Sequence, residues 1–313
     1  MPINISNLSE SRTACEKEDA NDPLRSWQDE FYLPKGLIYL DGNSLGPLPK
    51  KAIEQLDQAI RNEWAEDLIT SWNKAGWWEL PETLGELIAP IVGAASGQVI
   101  VSDSTTLNLF KTVHAALGLR PERTVVISEA DNFPTDLYIL EGVTSTQQNI
   151  QRRLLGKDGN SLEELLDDQV AVVAFSHVNY RTGEILPIAE LVKVTHEAGA
   201  LFVLDTCHSA GILPVELDQW GVDFAVGCTY KYLNGGPGSP AFLYAAKRHQ
   251  QEAVNPLSGW WGHARPFAFE IDFQAAEGIR RFRTGTQPVL SLRGLQAGLE
   301  IAQKADLHLV RKK

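Results

Sequence analysis

The stretch GCTYKYLNGGPGS, residues 227–239, follows the apolar run DFAVG and places a lysine between two tyrosines. Lys231 could be a surface lysine whose aliphatic stem lies on the tyrosine rings. It could also be buried after the end of a strand, where it would act as a covalent catalyst. The glycines that follow could let the backbone turn closely beneath a ligand, or form a plain tight turn. The rest of the chain has to distinguish these interpretations.

Apolar runs alternate with amphipathic segments over most of the chain. We predict strands at 98–103, 124–129, 149–155, 170–178, 200–205, 223–231 and 241–248. Before this series we predict a strand at 37–40 and a helix at 50–68, with Ile53, Ile60 and Trp64 among its apolar residues at helical spacing. Strands that are apolar throughout are typical of parallel sheets covered on both faces. The sequence therefore predicts an α/β fold with a mostly parallel central sheet and helices on both faces.

Composition and charge argue against several classes of protein. The chain has 313 residues and a net charge of -12, which disfavours a nucleic-acid partner because phosphate binding needs basic patches. Cys15, Cys207 and Cys228 have no CxxC spacing, so we expect no structural zinc site and a reducing compartment. The polar N-terminus does not resemble a signal peptide, and no apolar run reaches transmembrane length. We therefore expect a cytoplasmic protein without a membrane partner.

Polar residues collect after the predicted strands, where open α/β sheets bind their ligands. They are Ser104–Thr106, Phe133–Asp136, Ser176, Asp205–Ser209 and Tyr230–Lys231. The hydroxyls of Ser104–Thr106 could bind an anion at a helix N-terminus, or simply cap the helix. Phe133 could stack on a flat ligand, or pack in the core.

Asp205 closes an apolar strand, where a carboxylate needs a cationic or hydrogen-bonded partner. A helix cap or a local salt bridge would serve, and so would a protonated pyridine nitrogen. Lys231 follows after the next crossover. A strand-end aspartate followed by a strand-end lysine is the layout of pyridoxal-phosphate (PLP) enzymes, in which the lysine forms a Schiff base with the cofactor and the aspartate holds the pyridinium.

The sequence resembles the kynureninases, which are fold-type I PLP hydrolases. The motifs that carry the resemblance are LDGNSLGPLP (40–49), DSTTLNLFK (103–111), NFPTDLY (132–138), LDTCHSAGILP (204–214), GCTYKYLNGGPGSPAF (227–242), SGWWGH (258–263) and RFRTGTQP (281–288). They cover most of the chain in order. The resemblance implies the fold-type I PLP-dependent transferase fold.

The resemblance also implies roles for individual residues. Lys231 would form the Schiff base, Asp205 would pair with the pyridine nitrogen, and Tyr230 would bind phosphate and relay protons. The other implied cofactor-binding residues are Thr105, Thr106, Phe133, Pro134, Thr135, Asp136, Ser176, His208, Trp260 and Thr286. A homodimer is implied, with Trp260 or Thr286 reaching the partner subunit's site.

The implied reaction is the hydrolysis of L-kynurenine to anthranilate and L-alanine, in tryptophan catabolism and NAD biosynthesis. Its 3-hydroxy derivative is a further candidate substrate. The aromatic ring of the substrate needs an apolar wall, for which Trp72, Trp77, Trp78 and the pair Trp260–Trp261 are candidates. Core or interface packing is the alternative role of the first three.

The sequence departs from the family pattern at its C-terminal end. Family members carry a complete small C-terminal domain with an arginine that clamps the substrate carboxylate, and Arg280, Arg281 and Arg283 do not match it. We therefore expect an N-terminal arm at 1–50 that contributes to the small domain, a large PLP-binding domain at 51–280, and the start of a truncated small domain at 281–313. Substrate binding would then be impaired.

Two alternative functions are compatible with the sequence. One is another fold-type I enzyme, such as a cysteine desulfurase or selenocysteine lyase. These enzymes have a histidine before the lysine and a catalytic cysteine late in the chain, whereas Tyr230 precedes Lys231 here and Cys228 is the last cysteine. The other is a truncated chain that binds the cofactor without turnover.

Overall fold

A twisted sheet lies at the centre of the structure. The structure is a computed structural model that describes residues 8–147, 149–157 and 159–313, with side chains from residue 11. The strands are β1 (Phe31–Tyr32), β2 (Leu48–Pro49), β3 (Val99–Val101), β4 (Val125–Glu129), β5 (Gln151–Leu155), β6 (Val170–Ser176), β7 (Leu201–Asp205), β8 (Phe224–Gly227) and β9 (Phe242–Ala245). The helices are α1 (Leu8–Asn21), α2 (Lys50–Gln58), α3 (Ser71–Lys74), α4 (Leu80–Ile88), α5 (Thr105–Gly118), α6 (Pro134–Thr146), α7 (Leu162–Leu165), α8 (Ile188–Glu197), α9 (Leu217–Trp220), α10 (Val289–Ala302) and α11 (Leu307–Lys312).

The main sheet has the strand order β3-β9-β8-β7-β6-β4-β5. The pairs from β8 to β5 are parallel, and β9 runs antiparallel to both β8 and β3. The mostly parallel sheet predicted from the apolar runs is therefore confirmed. Parallel strands end at one edge, and the register sets Ser176 beside Asp205, and Asp205 beside Val226.

Helices cover both faces of the sheet, as predicted. Leucines and valines of α4, α8 and α10 pack with one set of strand side chains in one core. Residues of α5 and α6, such as Val113 and Val143, pack with the other set in a second core. Neighbouring residues of β3 alternate between these cores, with Val99 in the first and Ile100 in the second. Because α10 joins the first core through Leu292, Leu295 and Leu299, its helix is bound firmly to the sheet.

Of two predictions about the N-terminal part of the chain, the strand is wrong and the helix is confirmed over most of its length. Residues 37–40 form no strand, and Ile38 is 84% exposed, because β propensity gives a strand only where a partner strand is available. The predicted helix 50–68 is α2, which continues into π-helical turns at Ala59–Trp64. Its apolar stripe does not face the core, since Ile53 is 48% and Trp64 57% exposed.

The predicted division into 1–50, 51–280 and 281–313 stays a prediction, and residues 1–7 of the arm lie outside the described residues. Over the residues that the structure describes, no helix is long and apolar enough to cross a membrane.

A buried carboxylate holds the opposite edge of the sheet, at the start of β8. Asp223 is 1% exposed, and it accepts hydrogen bonds from His196 Nε2 at 2.8 Å, Arg248 at 2.7 Å, His249 Nε2 at 2.6 Å and the amide of Phe202 at 2.7 Å. Burial opposes ionisation, but the hydrogen bonds from the two histidines and the backbone hold the pKa of Asp223 well below its ordinary value.

We expect Asp223→Asn to lower the free energy of unfolding at pH 7 by about 3 kcal/mol. The buried donors that now bind one carboxylate would lose their charged acceptor. The folded-state pKa of Asp223 is depressed, so its contribution is present above the unfolded-state pKa, about 3.9, and is lost progressively as the pH falls from there through the lower folded-state pKa. Urea unfolding at pH 7 and below pH 4 should therefore show the deficit shrinking in acid. An equal deficit for the exposed Asp168→Asn would contradict this explanation.

Candidate active site

Lys231 lies in the loop after β8 and is 8% exposed. Its Nζ is 2.8 Å from Nε2 of His208 and 5.9 Å from the ring centroids of both Phe133 and Tyr230. The structure therefore favours the buried interpretation of Lys231 over the surface one. Burial and the charge of Lys231 both lower the pKa of His208, so its neutral ring can accept a hydrogen bond from the lysine.

Asp205 ends β7 and is 7% exposed, with Oδ1 accepting a 2.5 Å hydrogen bond from the amide of Cys207. Asp136, in the first turn of α6, is 4% exposed and lies beside Asp205. Burial and then the negative charge of Asp205 raise the pKa of Asp136 well above its ordinary value. The raised pKa favours the protonated form of Asp136, which could donate a hydrogen bond to Asp205.

The helix α5 begins directly after the end of β3. Ser104 is its N-cap and accepts a hydrogen bond from the amide of Leu107, so capping is performed by the serine. Thr105 and Thr106 occupy the first turn. The hydroxyl of Thr105 lies 3.6 Å from Sγ of Cys207, which joins the start of α5 to the end of β7. The two predicted phosphate-binding threonines thus lie at the same sheet edge as Asp205.

Phe133 precedes α6, in which Pro134 and Thr135 are the first two residues. Its ring is 41% exposed and packs edge-on against Tyr180, with 5.1 Å between centroids. An exposed ring beside Lys231 fits a stacking role and not the core position that was the alternative. The contact with Tyr180 joins the loops that follow β4 and β6.

Two further residues at this edge were missed from the sequence. Oδ1 of Asn132 accepts hydrogen bonds from the hydroxyl of Ser176 at 2.7 Å and from the amide of Phe133 at 2.6 Å, so Asn132 fixes both predicted site residues. Glu129 accepts a 3.3 Å hydrogen bond from the amide of Ser176. Burial raises the pKa of Glu129 to about 7. Their position at or just after the end of β4, next to the predicted site residues Phe133–Asp136, was the signal in the sequence.

The segment that contains Gly46 closes over the backbone of the lysine loop. The amide of Gly46 donates to the carbonyl of Tyr230 at 2.8 Å, and the side chain of Asn234 donates to the carbonyl of Pro47 at 3.1 Å. Burial raises the pKa of Tyr230 to about 12, so its phenol stays protonated and can donate. The LDGNSLGPLP motif is thereby tied to the TYKYLN motif.

We expect Gly46→Ala to displace Lys231 and weaken cofactor binding. A Cβ at position 46 would lie 2.2 Å from the carbonyl oxygen of Lys231, and neither backbone can yield cheaply. Overpacking of this kind costs about 1–3 kcal/mol. PLP titration should show the weaker cofactor binding, and urea unfolding should show the lower stability. Gly42→Ala is the matched control, because its Cβ would meet the ring of Tyr232 at an ordinary 3.8 Å, and an equal effect there would argue against the clash.

Trp260 and Thr286 lie together, but in a different cavity from Lys231. This aromatic cavity has a volume of about 560 Å³ and is lined by Ile69, Trp72, Asn73, Trp78, Trp260, Trp261, Phe267 and Thr286. Trp77 is packed in the interior and donates to Glu63, so core packing is its role, whereas Trp72 and Trp78 line the cavity. The cofactor roles of Trp260 and Thr286 stay predictions.

The three arginines near the C-terminal end of the chain are held by the protein itself. Arg283 is 1% exposed, stacks on Trp261 at 4.3 Å and pairs with Glu82 at 2.8 Å. Arg280 also pairs with Glu82, and Arg281 donates to backbone carbonyls. That none of the three is the substrate clamp stays a prediction.

Comparison with known proteins supports the interpretation of this sheet edge as a PLP site. Residues 38–313 match the aminotransferase class-V family. A kynureninase of Burkholderia pseudomallei (strain 1106a) is 47% identical over 300 residues, which cover 94% of this chain and 72% of the relative. A kynureninase of Pseudomonas fluorescens is 45% identical over 307 residues, which cover 97% of this chain and 74% of the relative.

Solved structures show the same fold at lower sequence identity. A mutant of the lyase C-DES with glycine covalently linked to its PLP cofactor has a TM-score of 0.78 at 20% identity, covering 89% of this chain and 74% of its own. The apo cysteine desulfurase of Thermococcus onnurineus NA1 has a TM-score of 0.71 at 21% identity. The match covers 94% of this chain and 72% of the desulfurase. The structural likeness confirms the fold-type I architecture, and the sequence identity shows that the chain belongs to the kynureninase family.

Proposed function

We propose that this protein is a PLP-dependent hydrolase that cleaves L-kynurenine to anthranilate and L-alanine. The observation that carries the proposal is the buried cluster of Lys231, His208, Asp205 and Asp136 at the carboxyl edge of the sheet of a kynureninase-family chain. The 3-hydroxy derivative of kynurenine is a second candidate substrate.

The residues at the sheet edge fit PLP. Two acidic side chains, Asp136 and Asp205, are buried against each other, and Lys231 is the cation whose charge acts on them. A protonated pyridine nitrogen beside Asp205 would supply further positive charge. The first turn of α5 offers Thr105, Thr106 and backbone amides to a phosphate, and the exposed ring of Phe133 offers a stacking surface.

When bound, PLP supplies an electron sink that stabilises a carbanion on the substrate, so that the Cβ–Cγ bond can break. We assign to Lys231 both the covalent attachment of the cofactor and the removal of the α-proton. Neutral His208, 2.8 Å from Lys231 Nζ, can accept a hydrogen bond from the lysine and orient it. Tyr230 stays protonated because of its raised pKa of about 12, and it is the donor that we assign to the phosphate and to proton relay.

We further propose a homodimer in which Trp260 and Thr286 complete the partner subunit's cofactor site. Trp260 is 42% exposed, Thr286 is also exposed, and neither shares a cavity with Lys231. The exposed apolar stripe of Ile53, Ile60 and Trp64 supports the same proposal, because such patches mark interaction surfaces. A role in NAD biosynthesis and a cytoplasmic location remain predictions.

The test is a purified protein loaded with PLP and supplied with L-kynurenine. Fluorescent anthranilate and an equal amount of alanine should appear, and borohydride should fix the cofactor on Lys231. L-cysteine is the control substrate for the desulfurase alternative. Sulfide from cysteine without anthranilate from kynurenine would overturn the proposed function, and a label on another lysine would overturn the assignment of Lys231.

A further inference from the structure

Asp103 is the second of the two residues between β3 and the N-cap of α5, and its backbone lies in the left-handed region, with φ of 50°. Residues other than glycine seldom adopt this conformation, although aspartate tolerates it better than most. The carbonyl of Asp103 also accepts a 2.8 Å hydrogen bond from the amide of Ala241, which fixes the turn to the strand beside it. The backbone conformation at Asp103 therefore sets the direction in which α5 leaves the sheet.

The carboxylate of Asp103 has three side-chain donors. Oδ2 accepts from Nζ of Lys111 at 2.7 Å and from the hydroxyl of Ser102 at 2.8 Å, and Oδ1 accepts from the hydroxyl of Thr284 at 2.8 Å. Lys111 is 0% exposed, and its Nζ also donates to the carbonyl of Phe282 at 2.8 Å. Burial opposes ionisation, but Lys111 and the hydroxyls together hold the pKa of Asp103 below its ordinary value.

This carboxylate joins two segments that are separate in sequence. Thr105 and Thr106 follow Asp103 directly in the first turn of α5. Thr284 stands two residues before Thr286, and its carbonyl accepts a 3.0 Å hydrogen bond from the amide of Trp261. Both predicted phosphate-binding segments are therefore attached to one side chain.

We propose that Asp103, held by Lys111, is a positioning residue that fixes both phosphate-binding segments before the cofactor arrives. The proposal rests on the proposed function, since it takes the phosphate of PLP as the ligand. With Trp260 and Thr286 assigned to the partner subunit's site, the Asp103–Thr284 hydrogen bond also couples the two sites of the dimer. A plain stabilising ion pair would instead support the fold without favouring a phosphorylated ligand.

Thr284→Val separates these roles, because it removes one hydroxyl and leaves Lys111 paired. Binding of PLP and of pyridoxal, which lacks the phosphate, can be followed by quenching of tryptophan fluorescence in the full chain. We expect Thr284→Val to weaken PLP binding about tenfold, the loss of roughly one hydrogen bond to a charged group, and pyridoxal binding less than about twofold. Thr284→Ser should restore PLP affinity.

Asp223→Asn is the matched control, since it disturbs a buried carboxylate at the opposite edge of the sheet. It should lower stability without changing the ratio of PLP to pyridoxal affinity. An equal loss for both ligands in Thr284→Val, or no loss for either, would overturn the positioning role. Because binding is measured without turnover, a protein that binds PLP but does not cleave kynurenine refutes the proposed function and still tests Asp103.

Discussion

Lys231→Ala is expected to abolish the cleavage of kynurenine, with kcat/KM falling by at least about 10³-fold. The lysine is assigned both the covalent attachment of the cofactor and the transfer of the α-proton. Removal of either role alone should cause a large fall in rate. Its Nζ is 2.8 Å from His208 and lies beside the Phe133 ring, so no other side chain of this cluster has the same reach and chemistry. Anthranilate fluorescence measures the effect directly.

Lys247→Ala is the control for this variant, because Lys247 is an exposed lysine after β9. It should retain wild-type activity and borohydride labelling. Thermal unfolding should show that Lys231→Ala remains folded, which excludes collapse of the protein as the reason for inactivity. Retention of more than about a tenth of the activity by Lys231→Ala would contradict the role of the lysine, since loss of a general base alone typically costs more.

Asp205→Asn is expected to lower kcat/KM by about 10²-fold, the value of one hydrogen bond to a charged group in a buried site. Asparagine keeps the shape and can still accept from the amide of Cys207, but it removes the negative charge that would keep the pyridine nitrogen protonated. The charge of Asp205 also raises the pKa of Asp136, so the variant should lower that pKa.

The pH dependence of kcat/KM measures both effects of Asp205→Asn. If the carboxylate controls cofactor protonation, activity should fall most on the alkaline side, where the pyridine nitrogen of the variant is neutral. Asp131→Asn, an exposed acid at the same edge, should leave the profile unchanged. A wild-type profile for Asp205→Asn would show that the cofactor does not depend on this carboxylate.

Much of the site was predictable because it follows from strand direction. Asp205, Ser176 and Lys231 each come at or just after the carboxyl end of a strand, and parallel strands bring such ends to one edge whatever their order. Asn132 and Glu129 could not be chosen in the same way. Their contacts with Ser176 depend on β4 lying next to β6, and no local pattern in the sequence gives the order of strands.

The wrong strand in the N-terminal part has a related cause. Residues 37–40 have the composition of a strand, but pairing depends on a partner that composition does not reveal. The period of α2 identified an apolar stripe correctly, yet a period cannot say whether Ile53 and Trp64 face the core or another surface. In both segments the sequence does not reveal which part of the protein the residues pack against.

The antiparallel strand β9 makes the completion of the sheet depend on a late segment of the chain. β3 is hydrogen-bonded to the rest of the sheet through β9, so the turn that leads into Thr105 and Thr106 gains its sheet pairing only after residue 245 has been synthesised. A nascent chain that ends before β9 already contains Lys231 and Asp205 but lacks the strand that docks β3. Such long-range pairing forms slowly. We therefore expect PLP capture to be a late event of biosynthesis, dictated by strand order.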